Sequence, residues 1–369
     1  MKRRVLTALA ILLAAWGALG VRALLRRAAR RAEAPVAGAS DLRGAYHVHT
    51  TASDGRGTLD EVARAAAEAG LGFLVVTDHN RLEPPGPRYL HGVLIVPGTE
   101  ASTRYGHVVA LGVPRALEEG ERDGDPLGAI RTLGGAAVLA HPLHPRRPFT
   151  GWGSGPWRGL EVVSNDAAWY QVLDGHALGK ALSAALVLPW DPARALLDLA
   201  GEPAAELGRF DAEVRAARAA GEPGPAARVL LCSADAHGYP SYRAAFEAFS
   251  MHLPVRLSGD APADARAVTA ALLDGSAACV LDAVAPAASV RLERTGEGGL
   301  LLRLEAPDLA RAAVRVVRDG AATPGPPLRP SGTRAAVSLC AGRCAPGDYR
   351  VEVRRGDQPW IFTNPVRIE

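Results

Sequence analysis

Histidines and carboxylates recur at the ends of apolar, strand-like runs between residues 46 and 237 of this 369-residue chain. The runs LGFLVVTDH, GAAVLAH and RVLLCSADAH each end in such a side chain. Imidazole nitrogen and carboxylate oxygen are ligands of multinuclear Zn, Mn or Fe sites, where a bridging carboxylate lowers the repulsion between neighbouring cations. The sequence therefore predicts a metal centre with nine candidate ligands: His47, His49, Asp54, His79, Glu100, His107, His141, Asp235 and His237.

Each of these motifs alone is weak evidence. A single HxH pair, such as His47-Val48-His49, is more often a structural feature than a metal site. The repeated placement at strand ends favours a shared metal centre, because a purely structural interpretation must account for each motif separately. Asp78 has two interpretations: it neighbours His79 on the opposite side of the strand, so it could make structural hydrogen bonds instead of binding metal.

Strand and helix patterns alternate between the candidate ligands. A capping box at Thr58-Leu59-Asp60-Glu61 predicts the start of a helix that Gly70 ends. Further helical segments are predicted near residues 166–174, 178–187 and 192–219. This alternation predicts a parallel sheet that carries the ligands at the carboxyl ends of its strands.

The last part of the chain changes character. From about residue 287, short alternating strands separated by Gly/Pro turns predict a small β-sandwich. The length of the chain suggests two domains. The predicted segments are a membrane anchor or signal segment over 1–33, a linker over 34–44, a metal-site domain over 45–286 and the β-sandwich over 287–369.

Taken in order, the motifs HxH, SDG, TDHN, GTE, GH, AHP and SDAH resemble those of the polymerase and histidinol phosphatase (PHP) superfamily of metal-dependent phosphoesterases. The resemblance covers residues 46 to about 240. It implies a distorted seven-stranded β/α barrel that holds two to three divalent metal ions, Zn, Mn or Fe.

The same resemblance implies how the ligands are shared. Glu100 would bridge two ions, the second of which would also be bound by His107 and His141. The remaining ligands of the first ion would be His47, His49 and Asp235. A third ion would be bound by Asp54, His79 and His237, and some superfamily members have histidine at the position of Asp54, which could weaken this site or favour a harder metal.

The C-terminal WIFTNPVRIE resembles the C-terminal domain of one PHP branch, the carbaryl-hydrolase-type metallohydrolases. That branch includes hydrolysis of a carbamate ester, so phosphate is not the only substrate class implied. The alternative is that this segment is simply an edge strand of a packing domain.

Several side chains are candidates for roles beside metal binding. His141, His237 and Asp235 are the catalytic candidates, and either histidine could protonate a leaving group if it is incompletely bound to metal. Arg146 and Arg147 could clamp a phosphate or could form a solvated loop pair. Trp152 and Trp157 could wall a substrate pocket or could be exposed hydrophobic plugs.

The N-terminus is predicted to contact a membrane. Val5 to Val21 is uncharged and as a helix spans roughly 25 Å, slightly less than the ~30 Å hydrocarbon core. An uncleaved anchor is favoured over a signal peptide, because the cleavage-like Ala37-Gly38-Ala39 lies far beyond the apolar stretch. The five basic residues after the stretch, against three before it, favour a cytoplasmic body.

The cysteines favour the opposite side of the membrane. Cys232 and Cys279 lie in apolar runs and are predicted to be buried free thiols. Cys340 and Cys344 could close a short disulfide, or their spacing could be chance. A disulfide would place the body in an oxidising compartment, so we predict a periplasmic or extracellular body, with the cytoplasmic alternative open.

Three functions are consistent with these patterns. The first is a metal-dependent phosphoesterase acting on a small phosphate ester or short nucleotide, and the second is a hydrolase of a carboxyl, amide or carbamate ester. The third is a membrane-tethered metal-binding module without catalysis. Residues 1–33 carry a net charge of +7, whereas the whole chain carries +3, so residues 34–369 sum to −4. This mildly acidic body argues against an extended nucleic-acid surface.

Overall fold

A computed structural model describes residues 2–32, 41–174, 178–222, 228–296, 298–307 and 309–369. The cleavage-like Ala37-Gly38-Ala39 and most of the predicted linker lie outside these residues. The helices are α1 Lys2–Ala32, α2 Leu59–Glu68, α3 Glu119–Asp123, α4 Pro126–Thr132, α5 Asn165–Leu173, α6 Leu178–Val187, α7 Pro192–Ala200, α8 Ala204–Ala219, α9 Tyr242–Ala248 and α10 Ala261–Leu273. The strands are β1 Leu42–Val48, β2 Phe73–Val76, β3 Arg88–Leu90, β4 Val93–Thr103, β5 Gly106–Leu111, β6 Ala136–Leu139, β7 Gly159–Ser164, β8 Val229–Ala236, β9 Ser250–Leu253, β10 Ala278–Val280, β11 Ser289–Thr295, β12 Gly299–Glu305, β13 Ala312–Arg318, β14 Ala321–Pro324, β15 Arg334–Ser338, β16 Gly347–Arg355, β17 Gln358–Thr363 and β18 Val366–Ile368.

Seven strands close into a barrel in the order β1, β2, β4, β5, β6, β7 and β8, and β8 pairs with β1. These strands are short apolar runs, and most of their side chains are buried. Continuous apolar strands of this kind are covered on both faces, with helices on the outside. The seven-stranded β/α barrel predicted from the sequence is confirmed.

The barrel is not parallel throughout, and this corrects one prediction. β5 pairs antiparallel with both β4 and β6. Only Arg104 and Tyr105 separate β4 from β5, and a two-residue connection allows a hairpin, whereas a parallel pairing needs a crossover of a dozen or more residues. The reversal brings the beginning of β5, with His107, to the rim where the parallel strands end.

The helices follow the predicted signals with one exception. At α2, Thr58 and Glu61 make both hydrogen bonds of the capping box. The predicted segment 192–219 is divided into α7 and α8, because Gly201 leaves helical geometry with φ 66° and Pro203 precedes the next helix. Proline cannot continue a helix from the preceding turn. The break places two helix ends beside the barrel rim instead of one long helix.

The C-terminal strands form two packed sheets. One contains β11, β12 and β15, and the other contains β14, β13, β16, β17 and β18. Leu302 and Leu304 of the first sheet share a buried apolar cluster with Val351, Val353 and Trp360 of the second. The predicted β-sandwich is therefore present. Its second sheet continues into the barrel sheet through β17, β10, β9 and β1, and the exact domain limits stay a prediction.

Both cysteine pairs are disulfides. Cys340 and Cys344 form the short disulfide that was one of their two predicted interpretations. Cys232 and Cys279 are buried as predicted, but they also form a disulfide, with their Cα atoms 5.8 Å apart. The prediction of free thiols was therefore wrong. The Cys232–Cys279 disulfide links β8 of the barrel to β10, which pairs with β17 of the C-terminal sheet.

Among the described residues, α1 is the one helix long and apolar enough to cross a membrane, with a candidate span of Val5–Arg30. Its leucines are largely exposed. A membrane anchor and a signal sequence share this pattern.

Candidate metal centre

The nine predicted ligands come together at one rim of the barrel. His47 and His49 lie at the end of β1, and His79 follows β2 by three residues. The other strands bring the remaining members to the same rim: Glu100 from β4, His107 from β5, His141 after β6, Asp235 from β8, and the loop residues Asp54 and His237.

Glu100 is the centre of this cluster. Its carboxylate is buried and faces five imidazole rings. Oε2 lies 3.2 Å from a ring nitrogen of each of His47, His49 and His79. Oε1 lies 2.8 Å from His107 Nδ1 and 3.1 Å from His141 Nε2. The two oxygens thus face two different sets of nitrogen donors, which is the arrangement of a bridging carboxylate.

Asp235 completes the side of the cluster near His47 and His49. Its Oδ1 lies 3.6 Å from His47 Nε2 and 3.5 Å from His49 Nε2. The Ser164 hydroxyl at the end of β7 donates to Oδ2 at 3.1 Å and fixes the orientation of the carboxylate. His47, His49, Glu100 and Asp235 therefore converge on one position.

A second position lies on the open side of the cluster. Asp54 Oδ1 is 3.4 Å from His237 Nε2 and 3.5 Å from His49 Nδ1, and Asp54 Oδ2 is 3.6 Å from His79 Nε2. Side-chain exposure is 53% for Asp54 and 28% for His237, so this side is open to solvent. The predicted trio is brought together, and His49 joins it.

The donor atoms suit divalent ions. Three groups have donor atoms within 4.8 Å of one another, and they share His49, His79 and Glu100 between them. The buried Nδ1 atom of His79 makes no hydrogen bond among the described residues. A buried ring nitrogen without a hydrogen bond is unfavourable, and coordination of a cation would satisfy it. The residues present therefore fit a multinuclear metal centre of nitrogen and oxygen donors.

The charges in the cluster shift the pKa of several members. Burial raises the pKa of Glu100, but the charge of His47 and hydrogen bonds from His107 and His141 hold it well below its usual range. Burial lowers the pKa of His49, but hydrogen bonds to Asp235 and Glu100 raise it to about 9. Without metal, the ionised carboxylates are balanced by protonated imidazoles, so protons occupy positions that metal ions would take.

The backbone is strained where the ligands are positioned. His47, His141 and Asp235 have positive φ values of 67°, 28° and 41°. Such conformations cost on the order of 1–3 kcal/mol each in non-glycine residues, and they concentrate at functional sites. Three ligands share this feature, so the local fold favours placement of these side chains over backbone relaxation.

Glu161 is a member of the site that sequence reasoning missed. It lies inside β7 and is buried. Its Oε1 accepts from His47 Nδ1 at 2.7 Å, and its Oε2 accepts from the backbone N–H of His141 at 2.8 Å. The carboxylate thereby turns His47 Nε2 towards Glu100. The available signal was a single glutamate in the otherwise apolar run GLEVVS.

Asp78 has the structural role that was one of its two interpretations. Its carboxylate accepts from the backbone N–H and hydroxyl of Thr50, both at 2.7 Å, and from the Ser53 hydroxyl at 2.6 Å. These bonds hold the loop between His49 and Asp54 against the end of β2. Asp78 therefore positions ligands and does not belong to the cluster.

The predicted substrate residues lie outside the cluster. Arg146 makes a bidentate ion pair with Asp174 and stacks on the Tyr170 ring. Tyr170 in turn packs on His144, which packs on His141, so two rings separate Arg146 from the ligands. Its role as a phosphate clamp, and that of the exposed Arg147, stay predictions.

The two tryptophans pack as hydrophobic side chains, but they are not the exposed plugs of the second alternative. Trp157 is buried in the barrel core, and Trp152 packs against that core. Arg228 covers the Trp157 ring and Arg209 covers the Trp152 ring. Neither lines the cavity beside the metal centre.

That cavity has a volume of about 310 Å³ and adjoins the cluster at His141 and Glu161. Small apolar residues of α5 and α8, such as Ala168 and Ala204, form part of its wall, and Lys180 of α6 lines it as well. Its volume falls in the lower range of small-molecule sites.

No family model matches the chain, and no curated protein matches it. One solved structure with some similarity is a two-domain protein from Bacteroides vulgatus containing a predicted PHP-like metal-dependent phosphoesterase; the identity is 14%, the TM-score is 0.38, and the match covers 90% of this chain and 97% of that one. Another is an amidohydrolase from Chromobacterium violaceum with bound sulfate and no metal; the identity is 17%, the TM-score is 0.26, and the match covers 38% of this chain and 83% of that one. At these TM-scores neither similarity carries weight, so the fold rests on the strand pairing and the site on its geometry.

Proposed function

We propose that the chain is a metal-dependent hydrolase whose centre is the cluster around Glu100. The observation that carries this proposal is one buried carboxylate within 3.2 Å of five imidazole nitrogens. A purely structural role would need only one or two partners for such a carboxylate, and burying several titratable groups together is costly unless a cation balances them.

We propose that the centre holds two to three divalent ions, Zn, Mn or Fe. Glu100 would bridge a first ion, bound also by His47, His49 and Asp235, and a second ion, bound also by His107 and His141. Asp54, His79 and His237 would bind a third ion on the open side, where His49 Nδ1 is a further neighbour. The chemistry that divalent ions supply in such a site is activation of a water nucleophile near neutral pH and stabilisation of developing negative charge.

The protein side chains have separate tasks in this proposal. Glu161 fixes the ring of His47 from behind, and Ser164 fixes Asp235. His237 is the most exposed ring of the cluster and its Nδ1 lies 3.1 Å from the Asp235 carbonyl oxygen. When the third ion is absent, its place on the open side suits His237 to deliver a proton to a leaving group.

For the substrate we propose a small phosphate ester or a short nucleotide. The support is the order of the PHP-like motifs, whose ligands the fold brings to one rim, and an adjoining cavity of about 310 Å³ that suits a small molecule.

A specific observation favours a second candidate, hydrolysis of an uncharged carboxyl, amide or carbamate ester. The Arg146 guanidinium, one of the two candidates for a phosphate clamp, already forms an ion pair with Asp174. Small apolar residues such as Ala168 and Ala204 form part of the cavity wall, beside polar side chains that include Lys180 and Glu206. A neutral ester would not need an arginine clamp.

A substrate panel separates these candidates. The purified protein, loaded with Mn or Zn, is assayed with 4-nitrophenyl phosphate, bis(4-nitrophenyl) phosphate, 4-nitrophenyl acetate and 1-naphthyl N-methylcarbamate. We expect metal-dependent turnover of a phosphate ester that Glu100→Gln abolishes. Turnover of the carbamate or acetate alone would replace the first candidate with the second. Full metal occupancy without turnover of any compound would contradict catalysis and favour a metal-binding module.

We further propose that α1 anchors the protein in a membrane, with the barrel on the periplasmic or extracellular side. The support is the apolar span Val5–Arg30 together with two disulfides, since structural disulfides persist in oxidising compartments. Labelling of intact cells with a membrane-impermeant maleimide should modify Cys340 and Cys344 only after reduction. Direct modification of both would contradict the disulfide, and modification only after the cells are permeabilised and reduced would place the barrel in the cytoplasm.

A further inference from the structure

The helix α6 has an apolar surface that faces away from the protein. Leu178 is 75% exposed and Leu182 is 65% exposed, and Leu186 is exposed on the same side, four residues further along. The one buried side chain of α6 is Ala184. In a helix that packs on a globular protein surrounded by water, the large apolar side chains face the core and the small or polar ones face solvent. α6 has the opposite arrangement.

The helix that precedes α6 in the chain also has an exposed leucine. Leu173, at the end of α5, is 54% exposed. Within α6 the one charged residue is Lys180, whose side chain lines the cavity beside the metal centre. A contiguous exposed apolar surface on a small protein marks contact with another apolar phase or partner.

The apolar helix α1 lies directly beside this surface. The Trp16 indole N–H donates to the Leu186 carbonyl at 3.2 Å, and the Trp16 ring meets the Trp190 ring with centroids 5.5 Å apart. At Gly20 the α1 backbone approaches Trp190 so closely that an added Cβ would lie 2.5 Å from the indole. Trp16 and Gly20 belong to the uncharged stretch of α1, so whatever surrounds that stretch also surrounds Leu186.

Ion pairs mark where the apolar environment ends. Arg27 of α1 pairs with Glu247 of α9, and Arg30 pairs with Asp191 at the start of α7. From Trp16 to Arg27 the helix rises roughly 16 Å. Along α1 the contacts with the protein therefore change from aromatic and apolar to ionic over about half the thickness of the hydrocarbon core of a bilayer.

We infer that α6 lies in the lipid bilayer beside α1, with Leu178, Leu182 and Leu186 in contact with acyl chains and Trp16 and Trp190 near the polar boundary. Tryptophan is enriched at that boundary. The inference rests on the proposed membrane location of α1. The occupant is lipid because the surface is continuous with a helix whose length and composition suit a bilayer.

Quenching by brominated lipid tests this depth directly. In the full chain, a bimane fluorophore is attached to Leu182→Cys, to Leu12→Cys on α1 or to Ala270→Cys on α10. All three positions are exposed, and α10 packs on β3, β4, β8 and β9. Each protein is reconstituted into phosphatidylcholine/phosphatidylglycerol vesicles with or without brominated phosphatidylcholine, and circular dichroism melting checks that each variant is folded.

We expect brominated lipid to reduce bimane fluorescence at least twofold at positions 12 and 182 and to leave position 270 unchanged. Quenching at 12 with none at 182 would overturn the inference and leave the anchor in place. No quenching at 12 would contradict the anchor itself and the inference with it. Protection of 182 from lipid, together with cross-linking between the 182 positions of two copies, would replace the bilayer with a second copy.

Discussion

Replacing Glu161 by glutamine tests whether the carboxylate behind His47 tunes the metal centre. Glu161 makes bonds of 2.7 Å to His47 Nδ1 and 2.8 Å to the His141 N–H. Glutamine keeps the shape and one acceptor oxygen, but it loses the charge and presents an NH₂ group to one of two donors. We therefore expect weaker metal binding with little change in the fold.

The magnitude follows from the type of bond. Loss of a carboxylate that supports a metal-bound histidine lowers affinity roughly 10–100-fold, which corresponds to about 1.4–2.7 kcal/mol. A second effect opposes it at lower pH, where a proton competes with the metal ion for His47. Burial lowers the pKa of His47, but the charges of Glu161, Glu100 and Asp235 raise it well above its usual value. Removing Glu161 lowers the pKa of His47, so a proton competes less with the metal ion in the variant than in the wild type. This advantage of the variant fades as pH rises from 7 to 9, so its loss of affinity should grow over that range.

The assay is competition for Zn between the protein and a fluorescent chelator, at pH 7, 8 and 9. Asp282→Asn is the matched control, because Asp282 is also a buried carboxylate but pairs with Arg43 and Ser250 outside the cluster. Equal Zn affinity in the wild type and Glu161→Gln at pH 9 would refute the reasoning. An equal loss in Asp282→Asn would show a general effect on stability instead of a role at the metal centre.

Four other changes have defined outcomes. Glu100→Gln should lower metal stoichiometry, measured by elemental analysis, far more than the melting temperature, because it removes a charge shared by two ions; unchanged stoichiometry would contradict the bridge. Asp54→Ala should remove about a third of the bound metal and leave the Glu100 pair in place, which anomalous scattering at the metal edges can show; full occupancy would make Asp54 a turn residue only. Deletion of residues 1–33 should make the protein extractable from membranes at alkaline pH, and continued resistance to extraction would contradict the anchor. The pKa of His49 and of His141 is raised to about 9, so the stability that these groups give the metal-free protein is complete below about pH 6.5 and lost as pH rises towards 9; its melting temperature should fall over that range, and calorimetry at pH 7 in buffers of different ionisation enthalpy should show proton release on metal binding.

The ligands could be predicted from the sequence because each lies next to a recognisable strand. Once the apolar runs are strands of one barrel, their carboxyl ends share a rim, and residues as distant in sequence as His47 and Asp235 meet there. The direction of β5 was also available, since only Arg104 and Tyr105 separate it from β4. The hairpin was overlooked because the alternation of strands and helices elsewhere favoured a parallel sheet.

Other features depend on contacts between segments that carry no local signal. Cys232 and Cys279 are 47 residues apart, and each run reads as an ordinary apolar strand, so their pairing becomes visible only when β8 and β10 are placed together. Glu161 belongs to no motif, and its role depends on hydrogen bonds from the His47 ring and the His141 backbone N–H. A helix such as α6 fits a buried pattern by composition, and only the fold shows that its leucines face outwards.

The positions where local structural preferences are broken coincide with the proposed ligands. His47, His141 and Asp235 adopt left-handed backbone geometry, which is uncommon in residues other than glycine. The surrounding barrel must therefore supply the free energy that holds them there, as Glu161 does when it bonds both the His47 ring and the His141 backbone. Strain and buried charge at one rim would only weaken an inert barrel. In a metal centre, both are offset when cations replace the protons, which is why the same residues connect the stability of this fold to its proposed chemistry.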